Sequence, residues 1–308
     1  MFEDEQRLVR LKPNLQRRAL ILKLTRDFFL EQDFLEVETP VRVPAVAPEP
    51  QIQPFDSEGW FLSTSPELHM KRMLAAGYDR LFQLGHCFRR GERGRWHNPE
   101  FTMLEWYRAS ADYLQMVRDI ERLVITLADK LGFQNRVNYR GQEIDLSLPW
   151  PGISVREAFL KDAGWDPVDE FDSLRFDSDL VTKVIPGFNP GCPTVLKDYP
   201  APVASLARLK PGEPGIAERA EVFIGGLELA NVYSELTDAP EQAKRFREAI
   251  EQIRQETGQE RAMPRRFLEA MAHLPCSGGG ALGMDRLVML FCDADSIDEV
   301  VAFTVDTA

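Results

Sequence analysis

The hydrophobic positions of this chain follow two periods. Over residues 14–32, Ile21, Leu24 and Phe28 fall at helical spacing, with Asn14 placed as a cap. Val117, Ile120, Val124, Leu127 and Leu131 form a second helical stripe within residues 111–132. A short helix is expected over 65–77, opened by Pro66, and a charged helix over 239–257. The segments 81–88 and 100–108 read instead as strands joined by a charged loop. The run FLEVETP ends at Pro40, and a proline-rich loop follows to about Pro54. Residues 221–237 predict a hairpin turning at Gly225-Gly226. A glycine-rich stretch, 278–283, leads into a last helix. The pattern over 133–200 is mixed and predicts no element. Together these elements imply an α+β fold with a largely antiparallel sheet.

Composition fits a protein that builds its own core. The chain has 308 residues, 44% hydrophobic and 28% charged. Its four cysteines, Cys87, Cys192, Cys276 and Cys292, lack the paired spacing of a zinc site. With no signal-like start and no apolar run able to span a bilayer, a cytoplasmic protein with reduced thiols and no membrane contact is expected. The net charge of −12 argues weakly against nucleic acid, because phosphate binding favours a basic face.

Four segments carry chemistry. In FRRGERGRWHNPEFTMLEWYRA, residues 88–109, four arginines (Arg89, Arg90, Arg93 and Arg95) crowd one loop. Guanidinium forks suit a polyphosphate, although arginines alone fit a solvated basic turn equally well. Strand alternation then puts Phe101, Met103, Glu105 and Tyr107 on one face. In EVFIGGLELANVYSELTDA, residues 221–239, an unbroken hairpin pairs Phe223 with Glu228 and Glu221 with Ala230. Glu221 and Glu228 become diagonal neighbours, roughly 7–8 Å apart at the backbone. Such a pair can share Mg²⁺ with phosphates, or simply form an acidic edge. Asn231, Tyr233 and Glu235 share one face further on. CSGGGALGMDRLVML, residues 276–290, offers close backbone approach and Arg286 one turn into a helix. STSPELHMKRML, residues 63–74, puts Glu67 in the first turn of a helix.

In this order the segments resemble the class II aminoacyl-tRNA synthetases, most closely their lysyl branch, from about Arg17 to the C-terminus. Residues 34–40 resemble the family's first, dimer-forming motif, residues 88–108 its second and 278–290 its third. The resemblance implies an antiparallel sheet flanked by helices, a homodimer, ATP as substrate and Mg²⁺. It implies that Arg89 bridges the substrate carboxylate and the α-phosphate. His97 and Asn98 would hold adenine above Phe101, and Arg286 the γ-phosphate. Gly91, Glu92, Leu229 and Gly283 would complete the ATP site, and Glu221 and Glu228 would hold the metal. Ser65 and Glu67 would meet the substrate's amino group, and Glu105, Tyr107, Asn231, Glu235 and Ala281 its remainder. With two carboxylates and no evident cationic partner, this pocket should select a protonated amine such as lysine.

The first helix begins by about residue 14, so a single catalytic domain over 1–308 without an anticodon-binding barrel is expected. That resembles the truncated members of the family that join (R)-β-lysine to a lysine of elongation factor P. Ala281 fits, since the synthetases usually carry glycine there. Elongation factor P, rather than tRNA, is then the expected partner, with Arg7, Arg10, Lys12, Arg17, Arg18 and the 89–95 loop as docking charges. A tRNA-charging enzyme, an amide-forming ligase and an inactive regulator are the other readings. Two departures stand out: Gly91 where the family has glutamate, with Glu92 next to it, and Val232 where it has glycine. Val232 is expected to narrow or tilt the pocket.

Overall fold

The computed structural model describes residues 3–308. Its helices are α1 (Glu3–Leu30), α2 (Glu67–Ala75), α3 (Tyr113–Lys130), α4 (Val155–Asp162), α5 (Ser173–Asp179), α6 (Ala239–Thr257), α7 (Arg265–Ala270) and α8 (Met284–Cys292). Among the described residues, one nine-stranded sheet forms the frame. Its strands are β1 (Leu35–Glu36), β5 (Arg80–Phe88), β6 (Glu100–Ala109), β9 (Gly152–Ser154), β10 (Thr194–Pro200), β11 (Leu209–Lys210), β12 (Glu213–Ile224), β13 (Leu227–Ser234) and β14 (Ser277–Gly283). A small sheet of β2 (Arg42–Val43), β3 (Asp56–Ser57) and β4 (Trp60–Leu62) lies apart, as does the hairpin of β7 (Arg136–Tyr139) and β8 (Gln142–Asp145).

The main sheet runs β1-β5-β6-β14-β13-β12-β10-β9, with β11 paired to β12. All its pairings are antiparallel except β1 with β5 and β9 with β10. The α+β expectation is therefore met, with a mixed edge at each end. One face of the sheet is apolar. Leu104, Trp106, Val222 and Leu282 pack there against Ile21 of α1, Ile120 and Val124 of α3, and Val288 of α8. The other face is lined by charged and aromatic side chains, and α2 and α6 border it. Alternation along each strand produces both faces at once.

The first helix is longer than its sequence pattern suggests. It passes through Pro13 and starts near Glu3, so Asn14 is interior and is no cap. An interior proline costs a helix about 3 kcal/mol. Tertiary ties oppose that cost: the amide of Asn14 donates to the Glu299 carbonyl (3.0 Å), and Arg7 donates to the Ala302 carbonyl (2.7 Å). Arg17 donates to the Phe291 carbonyl, and Arg18 forms a 2.6 Å ion pair with buried Asp285. Arg7, Arg17 and Arg18 thus fasten α1 to the C-terminal segment, which removes them as free docking charges. Arg10 and Lys12 stay exposed.

The mixed region 133–200 contains β7 to β10, α4 and α5. Its elements are short, and their apolar residues, Phe159, Trp165, Phe176 and Tyr199, make a local cluster without a long stripe.

Candidate active site

The hairpin is the first determinant of the site. Gly225 and Gly226 both take positive φ, +59° and +80°, as a two-residue turn of this hand requires. Ile224 pairs with Leu227 and Phe223 with Glu228, as expected. The register then shifts, so Val222 faces Ala230 and Glu221 faces Asn231. The expected pairing of Glu221 with Ala230 is therefore wrong by one residue, because a bulge inserts one residue into β13. Strict alternation would separate Glu228 from Asn231 and Tyr233 by a face. The bulge restores them to the same face.

Strand β6 presents Phe101, Met103, Glu105 and Tyr107 to a cleft of about 980 Å³, as alternation predicts. Ser65, Glu67, Arg89, Glu92, His97, Asn98, Glu221, Glu228, Leu229, Asn231, Ala281, Gly283 and Arg286 also line it. Two predicted residues do not. Gly91 turns away in a left-handed conformation (φ +84°), and Glu92 borders the cleft with a carboxylate oxygen 3.9 Å from Arg89. Glu235 is buried beyond the cleft wall with its side chain wholly covered.

The carboxylates of the pocket are tightly engaged. Ser65 Oγ donates to Glu105 (2.9 Å) and accepts from the backbone N–H of Glu67 (3.0 Å). Tyr107 donates its hydroxyl to Glu105 at 2.6 Å. Burial, reinforced by the charge of Glu67, pushes the Glu105 carboxyl up to about 8. The pocket does hold a cationic partner, contrary to the expectation from the sequence. Lys71, one turn after Glu67, sits fully buried between Glu67 Oε1 (2.5 Å) and Glu235 Oε2. Burial pulls its pKa down, yet Glu235 and Glu67 outweigh that and hold the ammonium charged.

Arg219 is the second missed cation. It donates to Glu221 Oε1 (2.6 Å), Asn231 Oδ1 (3.2 Å) and the Val203 carbonyl (2.7 Å), and its guanidinium lies over the Tyr199 ring. Burial first, then the nearby charge of Glu228, raises the Glu221 carboxyl, so the two carboxylates are close enough to oppose each other. Lys71 is four residues from Glu67 on one helix face, and Arg219 alternates with Glu221 along β12, spacings that a surface ion pair would share.

At the other end, Arg286 donates to the Glu228 carbonyl (2.6 Å), and its Nη2 lies 2.5 Å from His97 Nε2. Burial, then the guanidinium of Arg286, lowers the His97 pKa, so a neutral ring accepts this contact. Arg89 lies over the Phe101 ring, 5.1 Å from its centre. The Asn98 amide is engaged elsewhere, donating to the Glu100 carbonyl and accepting from the Val305 N–H. Any adenine contact from Asn98 falls to its backbone. Arg93 is bound by Asp298 and Asp306, which takes it out of the phosphate-binding set.

Two further expectations change. Val232 points into the apolar core, wholly buried and packed beside Gly280, so it neither narrows nor tilts the pocket. The glycines of β14 make room mainly for protein. A Cβ on Gly279 would lie 2.0 Å from Glu235 Oε1 and 2.3 Å from the Tyr107 ring, and one on Gly280 would strike Trp106. Only Gly283 has open space beyond its own helix's Arg286.

One sheet face thus carries an arginine beside a half-buried aromatic ring, a carboxylate pair and an acidic pocket, a set that suits a phosphate-bearing ligand next to an ammonium. The chain belongs to the tRNA synthetases class II (D, K and N), whose family model matches residues 5–307. It is 38% identical over 319 residues to the elongation factor P–(R)-β-lysine ligase of Klebsiella pneumoniae subsp. pneumoniae, covering 96% of both chains. The ligases of the same name from Enterobacter sp. (strain 638) and Salmonella paratyphi B match at the same identity and coverage. The chain is thus an ATP-dependent ligase of the aminoacyl-tRNA synthetase type. No helix of the described residues is long and apolar enough to cross a membrane.

Proposed function

We propose that the chain activates (R)-β-lysine, or lysine, as its adenylate and transfers it to a lysine side chain of elongation factor P. The observation that carries the substrate reading is the acidic pocket of Glu67 and Glu105 beside Arg89, with Tyr107 and Ser65 orienting the Glu105 carboxyl. The names of the relatives support the acceptor.

In this reading Arg89 pairs with the substrate carboxylate and with the α-phosphate, where negative charge grows during attack. Adenine stacks on Phe101, which requires Arg89 to leave that ring, and the backbone near His97 and Asn98 meets its edge. Arg286 leaves His97 and the Glu228 carbonyl for the γ-phosphate, and Glu92 and Gly283 border the nucleotide. Glu67 accepts a hydrogen bond from the amine nearest the carboxylate. Glu105, Tyr107 and Asn231 face the rest of the substrate, with Glu235 behind them. No general base is needed for activation, because the substrate carboxylate is the nucleophile and the site holds it in line.

Glu221 and Glu228 suit Mg²⁺. Such ions take one or two carboxylates together with phosphate oxygens, and two mutually repelling carboxylates favour a shared cation. Bound there, the ion would neutralise charge on the polyphosphate. Among the described residues no larger cluster of metal-ligating side chains occurs. A cytoplasmic homodimer joined through the β1 edge completes the proposal.

Pyrophosphate exchange across a panel of amino acids tests the substrate reading. Exchange with lysine or (R)-β-lysine, and none with aspartate or asparagine, is expected. Exchange with aspartate alone would refute it.

A further inference from the structure

The blind end of the pocket holds three carboxyl groups, those of Glu67, Glu105 and Glu235, and one ammonium, that of Lys71. All four residues are buried. Glu49 also approaches this end, but Ser205 donates to it and the charges of Arg89 and Arg219 face it. Lys71 touches Glu67 through one oxygen and Glu235 through another, and its ammonium lies 5.8 Å from the centre of the Tyr107 ring. Glu235 Oε1 lacks a hydrogen-bond donor and lies over Gly279, where any Cβ would collide with it.

We propose that Lys71 is a positioning residue that sets substrate charge: its built-in ammonium lowers the demand of three carboxylates from three positive charges to two. A diamino acid meets that demand, and a monoamine leaves one buried carboxyl without its ammonium partner, so that it stays protonated. The monoamine therefore forfeits a buried ion pair that only the diamino acid completes, which is enough to decide specificity. The inference rests on reading the pocket as a diamino-acid site. It adds that selection comes from a count of charges to which the protein itself contributes, as well as from the substrate-facing carboxylates.

The test compares lysine with its monoammonium analogue 6-hydroxynorleucine by isothermal titration in the full-length protein. ATP affinity in each variant reports whether the fold is kept. The wild type should prefer lysine by about a hundredfold, the scale of losing one partner of a buried ion pair. Glu235→Gln alone leaves a demand for one positive charge, and the preference should fall by at least about tenfold. Lys71→Met with Glu235→Gln returns the demand to two and should recover the preference to within about tenfold of wild type, departures from additivity being expected in one network.

If Lys71 only supports the fold, the double variant keeps the lost preference of Glu235→Gln, and the proposal falls. Lys71→Arg should retain lysine preference where it still binds ATP, and loss of preference there would also count against a charge role. If the wild type binds neither lysine nor (R)-β-lysine, the diamino-acid reading itself fails and carries this inference with it.

Discussion

Glu221 stands opposite Asn231 across the β12–β13 pair, one residue beyond where an unbroken hairpin would place it. That single-residue shift puts the carboxylates proposed for Mg²⁺ on the same face as the residues proposed for the substrate. Glu221→Gln should therefore raise the Mg²⁺ concentration needed for adenylation by about tenfold or more, since losing even a supporting group around a metal costs about that much. Lysine affinity should change little. Titrating Mg²⁺ in the exchange assay checks this, and an unchanged requirement would remove Glu221 from the metal set.

Arg89 packs over the ring of half-buried Phe101 and forms no part of the core. Arg89→Ala should cut adenylate formation by about a hundredfold to a thousandfold, the range for removing one group that stabilises transition-state charge. Thermal stability should be nearly unaltered. Wild-type exchange rates in a folded Arg89→Ala protein would refute the assignment.

The raised Glu105 carboxyl gives a signed pH dependence. Without substrate it is mostly protonated below about 8, chiefly through burial and then through the charge of Glu67. A bound ammonium favours the ionised form, so binding expels a proton. Lysine affinity should rise by up to about tenfold per pH unit between 6 and 8 and then level off. Titration calorimetry in buffers of different ionisation enthalpy should detect about one proton released near neutral pH. A flat profile with no proton release would contradict this account of Glu105.

Ala281 faces the cleft between Asn231 and Glu105, its register partners on the neighbouring strands. The family resemblance places its methyl group beside the substrate's α-carbon. Ala281→Gly should shift turnover toward α-lysine relative to (R)-β-lysine, by several-fold for a change of one methyl in a shaped pocket. An unaltered ratio removes Ala281 as a determinant.

Gly279 has the opposite constraint. Its missing Cβ is the space occupied by Glu235 and Tyr107. Gly279→Ala should destabilise the protein by about 1–3 kcal/mol, the usual cost of overpacking, and weaken lysine binding more than ATP binding. Thermal melts and the two affinities check this, and a silent substitution would show that Glu235 can move freely.

Much of this arrangement was legible before any coordinates. The alternation of Phe101, Met103, Glu105 and Tyr107 gave the cleft-facing side of β6, and Gly225-Gly226 gave the turn of the hairpin. What escaped was set by tertiary packing. Asn14 has the local signature of a cap, but its ties to the C-terminal segment carry the helix past it. The bulge in β13 has no marker in LELAN, because Leu229 and Ala230 suit either register. Lys71 and Arg219 look like ordinary surface cations in a string of letters. Only burial turns them into partners of Glu235 and Glu221. Val232 differs, since the alternation that puts Asn231, Tyr233 and Glu235 on one face already puts it on the other, toward the core.

The acceptor is the central claim, and intact-mass measurement of elongation factor P after incubation with the enzyme, ATP, Mg²⁺ and (R)-β-lysine tests it most directly. One added lysyl mass per molecule of the factor is expected, absent when ATP is omitted or Arg89 is replaced by alanine. An unmodified factor, in a reaction where pyrophosphate exchange shows that the adenylate forms, would contradict it and direct the search to a tRNA acceptor.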